Sequence, residues 1–379
     1  MKALLHWLSD KRAVVVLGPG GVGKTTVSAA LALAASGSDK DTLAVTVDPS
    51  LRLRDALSMG GRPGELETIP AGQGHLHALL LDTKTEMDRF VNRYVSDPAL
   101  KKRIMSNIFF QKAADQAVGT HEYMAMIRLH DTIKSGNYDI VITDTPPAEH
   151  SIDFLKAPAR LSDLLSHESL RMVPKLMMKS GKGILHISGL ISRGMARFVD
   201  LSAFNALLDF VLSFGTLYDD LLAISRWFLD FIAGPDCAVV VVTAASRQRI
   251  DDVMRFITYL GTLNINVDGV IVNRVYRWKN KPPSGSVRSE IFNDLFGEPE
   301  LQFVGKNTFN SAIYKVTIAL QWFNEVRKAQ ESEIARLSNM LPNIPIFVLP
   351  ALEHDIQGTD DLLGLMEQSE LFKQSGNEK

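Results

Sequence analysis

Gly18-Pro19-Gly20-Gly21-Val22-Gly23-Lys24-Thr25-Thr26 leaves a chain like this few folds to choose from. Before it runs Ala13-Val14-Val15-Val16-Leu17, the β-branched pattern of a buried strand. After it runs Val27 to Ala35, an alanine-rich helix former that stops near Gly37. Strand, glycine loop and helix therefore come in the order that a phosphate-binding loop requires, and the loop fits G-x-x-x-x-G-K-[ST]. Glycines without a Cβ let the backbone curl until several N–H groups face one phosphate chain, and the helix N-terminus adds its positive dipole end. Gly20, Gly21, Val22, Gly23, Lys24, Thr25 and Thr26 are the candidate contacts to a nucleoside triphosphate. Lys24 would reach the β- and γ-phosphates, and the Thr25 hydroxyl would ligate Mg²⁺.

Further apolar runs lie at 43–47, 76–81, 140–143, 238–243, 269–272 and 344–349. They are continuous rather than alternating, as in strands covered on both faces. About seven strands can be placed, which predicts an α/β fold: a P-loop NTPase with a doubly wound, mostly parallel sheet. Two stretches break this rhythm, at about 85–134 and 159–234, and read as an α-helical subdomain inserted into a single domain of residues 1–379. The polar stretch 276–305, with Pro282-Pro283-Ser284-Gly285, reads as a surface excursion, and Ser311 to Leu341 as one long helix or a broken pair.

A net charge of −2 gives no electrostatic footprint for nucleic acid. Cys237 is the single cysteine, which excludes an internal disulfide and any multi-cysteine metal site. The apolar start Met1 to Leu8 is too short for a signal sequence and reads as a short helix beside the first strand. No apolar run approaches the length of an integral membrane segment, so the expected location is cytoplasmic.

Hydrolysis needs a group to position water and a carboxylate near the metal. Asp48 follows the second apolar run and Asp144 the run at 140–143, at the strand ends where an α/β sheet places its ligands. Either aspartate alone reads equally well as a turn or helix-cap residue; beside the glycine loop both become candidate metal-side or catalytic carboxylates.

The loop, then Asp48-Pro49-Ser50, then Asp144-Thr145-Pro146-Pro147-Ala148-Glu149-His150, resembles the ArsA family, and the likeness continues through Val270 to Arg274 and Pro350 to Glu353. This family comprises the arsenite-pump ATPase and the ATPases that guide tail-anchored membrane proteins. The resemblance implies Mg-ATP hydrolysis by a dimer, with Lys24 and Asp48 as catalytic residues. Asp48 would orient the hydrolytic water in switch I, and Thr25, Asp48 and Asp144 would form the metal side. Asn273 would read adenine, with Pro350 and Ala351 against the base.

Departures from the family accompany the likeness. Pro19 stands where the family carries a lysine that reaches the partner's nucleotide, and proline has neither charge nor backbone N–H. Arg52 and Arg54, just after the switch I Asp-Pro, are the candidate substitutes for that charge; the competing reading is two solvated surface charges. Glu149 replaces a usual switch II glycine. One cysteine cannot build the pump's metalloid site, and no cysteine lies around 320–327, where targeting members hold a zinc clip.

In those members, paired helical subdomains form a groove for a transmembrane helix. Met172, Met177, Met178, Met195, Leu207, Phe210 and Phe214 suit either such a groove for a hydrophobic protein client or an ordinary helical core. The expected partner is a second copy or an ArsA-like paralogue. In the paralogue case the chain is a nucleotide-binding regulatory subunit of a heteromer. A ParA- or MinD-like positioning ATPase ranks below both, because the ending Leu362 to Lys379 is short and mixed in charge.

Overall fold

The valine-rich run Ala13–Leu17 becomes β1, the strand on which the rest of the sheet is built. The structure is a computed structural model and describes residues 10–48, 52–70, 75–116, 120–145, 213, 215–277 and 306–369. The other strands are β2 (Thr42–Thr46), β3 (Leu66–Ile69), β4 (Leu76–Leu80), β5 (Ile140–Asp144), β6 (Cys237–Ala244), β7 (Gly269–Val275) and β8 (Ile346–Pro350). They form one eight-stranded sheet in the order β3-β4-β2-β5-β1-β6-β7-β8. Every neighbouring pair is parallel except β3–β4 at one edge. All seven apolar runs are strands of this sheet, and the doubly wound α/β expectation holds.

The eighth strand, β3, was not expected from the sequence. Leu66-Glu67-Thr68-Ile69 is short and half polar, with only Ile69 buried, as suits an edge strand that packs little.

Ten helices are described: α1 (Lys24–Ser36), α2 (Arg52–Ala56), α3 (Thr83–Tyr94), α4 (Pro98–Ser106), α5 (Ile108–Gln116), α6 (Thr120–Ser135), α7 (Tyr218–Ala233), α8 (Arg247–Thr262), α9 (Lys306–Met340) and α10 (Thr359–Gln368). Alternation along β1 shows how they cover the sheet. Val14 and Val16 face α1, α2 and α10, in a cluster with Val27, Leu31, Leu53, Leu57 and Leu362. Val15 and Leu17 face the other way, into a cluster with Phe90, Met126, Phe228, Val253 and Leu337. Period-two alternation with both faces apolar is what a strand between two helical layers requires.

Helices α3 to α6 occupy the first stretch read as helical, and α7 occupies the end of the second. Phe90 of α3, Met126 of α6 and Phe228 of α7 share one apolar cluster with the sheet face. Asp82 and Asp97 set helix starts by accepting the N–H of Thr85 and Ala99, both at 2.8 Å. The segment from Ser311 proves to lie in one continuous helix, the 35-residue α9, which ends at Met340, one residue before Leu341. The N-terminal helix, Pro49-Ser50, Pro146 to His150, the methionine- and phenylalanine-rich residues 159–212 and Phe214, and the polar excursion beyond Arg277 lie outside the described residues.

Gly18 closes β1 with φ +148, and a Cβ there would lie 2.2 Å from the carbonyl oxygen of Val242 in β6. The loop can leave the sheet in this direction only because residue 18 has no side chain. Gly18→Ala is therefore expected to cost about 2 kcal/mol or more through backbone displacement. Thermal unfolding of the unliganded chain measures it; an unchanged midpoint would mean that the loop tolerates a shift away from β6.

Candidate functional site

The glycine loop sits between β1 and α1 at the centre of the sheet, where strand order reverses around β1. A ligand crevice forms at such a point. Gly21 (φ +77) and Gly23 (φ +91) hold left-handed conformations. Turns of this kind make backbone N–H groups converge on one concavity. A Cβ on Gly23 would also fall 2.3 Å from the Asn273 amide nitrogen. Lys24 opens α1 and is buried, and its Nζ donates to the Pro19 carbonyl oxygen at 3.3 Å. Burial pulls its ammonium below the ordinary lysine range, against the opposing pull of Asp144 and Asp48; nearby Arg52 adds to the lowering.

Asp144 ends β5, in register with Val16 of β1 and Thr46 of β2, and is 1% exposed. The Thr25 hydroxyl donates to its Oδ2 at 2.8 Å, and the Thr46 hydroxyl to the same oxygen at 3.1 Å. Ser28 reaches Oδ1 at 3.5 Å. Burial pushes the Asp144 carboxyl up to about 6, opposed by the Thr25 hydrogen bond, by Lys24 and by the Thr46 hydrogen bond. The next residue, Thr145, donates its hydroxyl to the Val16 carbonyl oxygen at 2.7 Å and so fixes the strand end beside the loop.

Asp48 lies two residues beyond β2, half-buried, and its N–H donates to the Thr46 hydroxyl oxygen at 3.1 Å. Thr46 therefore links the segment carrying Asp48 to Asp144. Asp48 also acts electrostatically on Lys24 and on Asp144, so the three groups expected from the sequence share one site. The two arginines differ. Arg54 is half-buried and its Nε donates to the Met59 carbonyl oxygen at 3.0 Å, closing the turn after α2. Arg52 is exposed at the start of α2 and close enough to Lys24 to affect its ammonium.

Asn273 lies inside β7 and is buried. Its Nδ2 donates to the Val22 carbonyl oxygen and its Oδ1 accepts the Arg274 N–H, both at 2.9 Å. The side chain thus holds the glycine loop directly. Pro350 pairs with Val275, and the Ala351 N–H donates to the Val275 carbonyl oxygen at 3.0 Å. The structure therefore brings Pro350 and Ala351 to the same sheet rim, two residues past Asn273.

Thr46 and Ser28 were not among the sequence candidates. Ser28 stands three residues after Thr25 on α1, a helical spacing that the sequence displays. Thr46 became a site residue only through the β2–β5 register, which the sequence does not display.

The residues present fit a phosphate chain and a hard divalent cation. The left-handed glycines and the buried, thinly hydrogen-bonded Lys24 ammonium suit an anion. Thr25 and Asp144 offer a hydroxyl and a carboxylate oxygen on adjacent elements. Among the described residues no three His, Cys, Asp or Glu side chains converge to cage a metal. Such a sparse donor set suits Mg²⁺, which keeps water and substrate phosphate oxygens as its other ligands.

Comparison with known proteins places these features in context. The family model described as anion-transporting ATPase, ArsA, matches residues 11–288. A protein of Aquifex aeolicus named an arsenical pump-driving ATPase is 21% identical over 363 residues, covering 93% of this chain and 76% of the relative. One from Chlorobaculum tepidum, also named an arsenical pump-driving ATPase, is 25% identical over 270 residues, covering 70% and 61%. The ATPase get3 of Schizosaccharomyces japonicus is 30% identical over 178 residues, covering 47% and 52%. The chain thus spans less than two thirds of the latter two.

Proposed function

Because the chain belongs to the ArsA family of anion-transporting ATPases, we propose that it binds Mg-ATP in the glycine loop and hydrolyses it, with closure of a dimer as the coupled motion. The observation that carries this reading is the hydrogen-bonded web Thr25–Asp144–Thr46–Asp48 beside the buried Lys24. It joins the helix start, the centre of the sheet and the segment bearing Asp48 through one carboxylate. A change at the γ-phosphate or its cation is thereby felt at Thr46 and Asp48, the arrangement of a switch.

Each residue takes one task. Lys24 neutralises charge on the β- and γ-phosphates, and the loop N–H groups orient them. Thr25 and Asp144 would hold the cation, which neutralises phosphate oxygens as the bond to the leaving group lengthens. Asp48 orients the attacking water. Asn273 holds the loop from behind while Pro350 and Ala351 flank the base.

The charge missing at Pro19 is assigned to Arg52 rather than Arg54, since Arg54 already closes its own turn. Arg52→Ala is expected to slow turnover about tenfold to a hundredfold with little change in ATP affinity, and Arg54→Ala to act mainly on stability. Equal rates for wild type and Arg52→Ala would remove this assignment.

No helix among the described residues is long and apolar enough to cross a membrane. A hydrophobic protein client held by the helical segments is part of this reading. ATP turnover measured against protein concentration tests the central reading. Turnover per molecule that rises with concentration supports a self-sufficient homodimer. Tight ATP binding with negligible turnover at every concentration points to the second reading, a regulatory subunit paired with a paralogue that supplies the lysine missing at Pro19.

A further inference from the structure

Two residues with unusual backbones meet beside the site. Gly358 precedes α10 with φ +154 and ψ −176, a conformation that is essentially confined to glycine. Ser58 lies in the turn after α2 with φ +53, a left-handed conformation that serine takes less readily than asparagine or aspartate. A Cβ on Gly358 would fall 2.8 Å from the Ser58 hydroxyl oxygen, so that hydroxyl stands where a side chain of residue 358 would be. Outliers of this kind persist only where their surroundings hold them, and they gather at switch regions.

Both sides of the contact are held. On the Gly358 side, Asp361 in the first turn of α10 accepts the Gln357 N–H through Oδ2 and the His354 Nε2–H through Oδ1, both at 2.8 Å. Ile356 packs against the apolar cluster that contains Leu53 and Leu57, and Leu362 is buried within it. The segment that Asp361 ties down begins at Pro350 and Ala351, on the sheet rim near Asn273. On the Ser58 side, the Met59 carbonyl oxygen accepts from Arg54 Nε, and the Glu67 carboxylate accepts the N–H groups of Gly60 and Gly61 at 2.9 and 2.8 Å. Helix α2 is only five residues long, so Ser58 lies less than two helical turns from Arg52. Three residues of chain separate Arg52 from Asp48.

Packing of α10 needs neither outlier, because the buried Leu362 and Leu365 already seat that helix. We propose instead that the segment from Pro350 to Leu362 relays occupancy of the base site to Asp48 and Arg52. A base against Pro350 and Ala351 sets where Gly358 stands, Gly358 sets the turn at Ser58, and that turn sets the start of α2. Asp361 and Ser58 are then positioning residues for hydrolysis. The proposal rests on the Mg-ATP reading above and gives the base a task beyond affinity. Binding energy from a part of the substrate that does not react is used to orient the groups that act on the phosphates.

Steady-state hydrolysis of Mg-ATP and of Mg-tripolyphosphate, which has the phosphates but no base, tests this on the full chain. The wild type is expected to turn over ATP with a kcat about tenfold or more above that for tripolyphosphate. Asp361→Ala frees the segment from α10, and Ser58→Gly removes the hydroxyl beside Gly358. Each is expected to lower kcat for ATP about fivefold to tenfold, with KM changed less than about twofold and the tripolyphosphate rate unchanged. Ser58→Gly should do so without lowering the melting midpoint, since residue 58 is exposed and glycine adopts its φ without strain. Variants that slow both substrates by one factor, or that match wild type on both, overturn the relay while leaving ATP hydrolysis intact. A wild-type kcat for ATP no higher than that for tripolyphosphate does the same. A wild-type chain that binds ATP without hydrolysing it overturns the relay and the hydrolysis reading together.

Discussion

Replacing Lys24 by methionine is expected to lower ATP turnover by on the order of 10²–10³-fold while leaving the unliganded chain at least as heat-stable as the parent. Both halves follow from the same local structure. The Lys24 ammonium is buried at the start of α1, and its hydrogen bond to the Pro19 carbonyl is long, at 3.3 Å. A buried ammonium so thinly compensated costs folding free energy, which is why burial draws its pKa down. Methionine keeps the apolar stem and removes the charge; the attraction to Asp144 and Asp48 is lost with it, but burial is the larger influence on this ammonium, so its relief outweighs that loss. A triphosphate supplies what the ammonium lacks, and its charge grows on the leaving and transferred oxygens as the bond breaks. The contribution of Lys24 is thus larger in the transition state than in the free protein. Steady-state hydrolysis and differential scanning calorimetry of the same two samples check the two halves. Retention of more than about a tenth of the turnover would mean that the phosphates do not lie on this loop; a sharp loss of stability would mean that the ammonium has a structural partner.

Much of this architecture is legible in the residues, for a physical reason. Strands buried on both faces must be apolar throughout, so runs such as Ala13–Leu17 and Cys237–Ala244 announce themselves. The glycine loop is equally plain, because the positive φ at Gly21 and Gly23 and the close approach of Gly18 to Val242 exclude other residues. What stays hidden depends on register or on weak burial. β3 escapes because an edge strand has one neighbour and little core. Thr46 reads as one more strand residue until β2 is laid beside β5 and its hydroxyl meets Asp144. Asn273 is a candidate only through the family likeness, as an adenine contact, until the sheet closes and its amide is found bracing Val22, across more than two hundred residues of chain. The different fates of Arg52 and Arg54, two residues apart in the sequence, rest on the turn that Arg54 closes.

Asp144 sets stability against function in a way that can be separated by pH. Its carboxyl, 1% exposed, is pushed up to about 6, first by burial and despite the hydroxyls of Thr25 and Thr46 and the charge of Lys24. The unfolded chain holds an aspartate near 3.9, so the folded state binds this proton more tightly. The linkage sign follows: the penalty for ionising Asp144 is absent below about pH 4, grows between pH 4 and 6, and is complete above pH 6. A shift of this size corresponds to about 2–3 kcal/mol at neutral pH in metal-free buffer. Asp144→Asn keeps the shape and can still hydrogen-bond both threonines, but has no charge to bury. The variant is expected to melt a few degrees above wild type at pH 7.5 without metal, and level with it near pH 4. With Mg-ATP the order should reverse, because a divalent cation beside Thr25 repays the ionised carboxylate and finds no charge in the variant; turnover should fall by on the order of 10²-fold or more. Melting curves at the two pH values, with and without Mg-ATP, give all four comparisons. Equal melting of the two proteins at pH 7.5 without metal would show that Asp144 is not strained by its burial. A variant stabilised by Mg-ATP as much as wild type would move the cation away from this carboxylate.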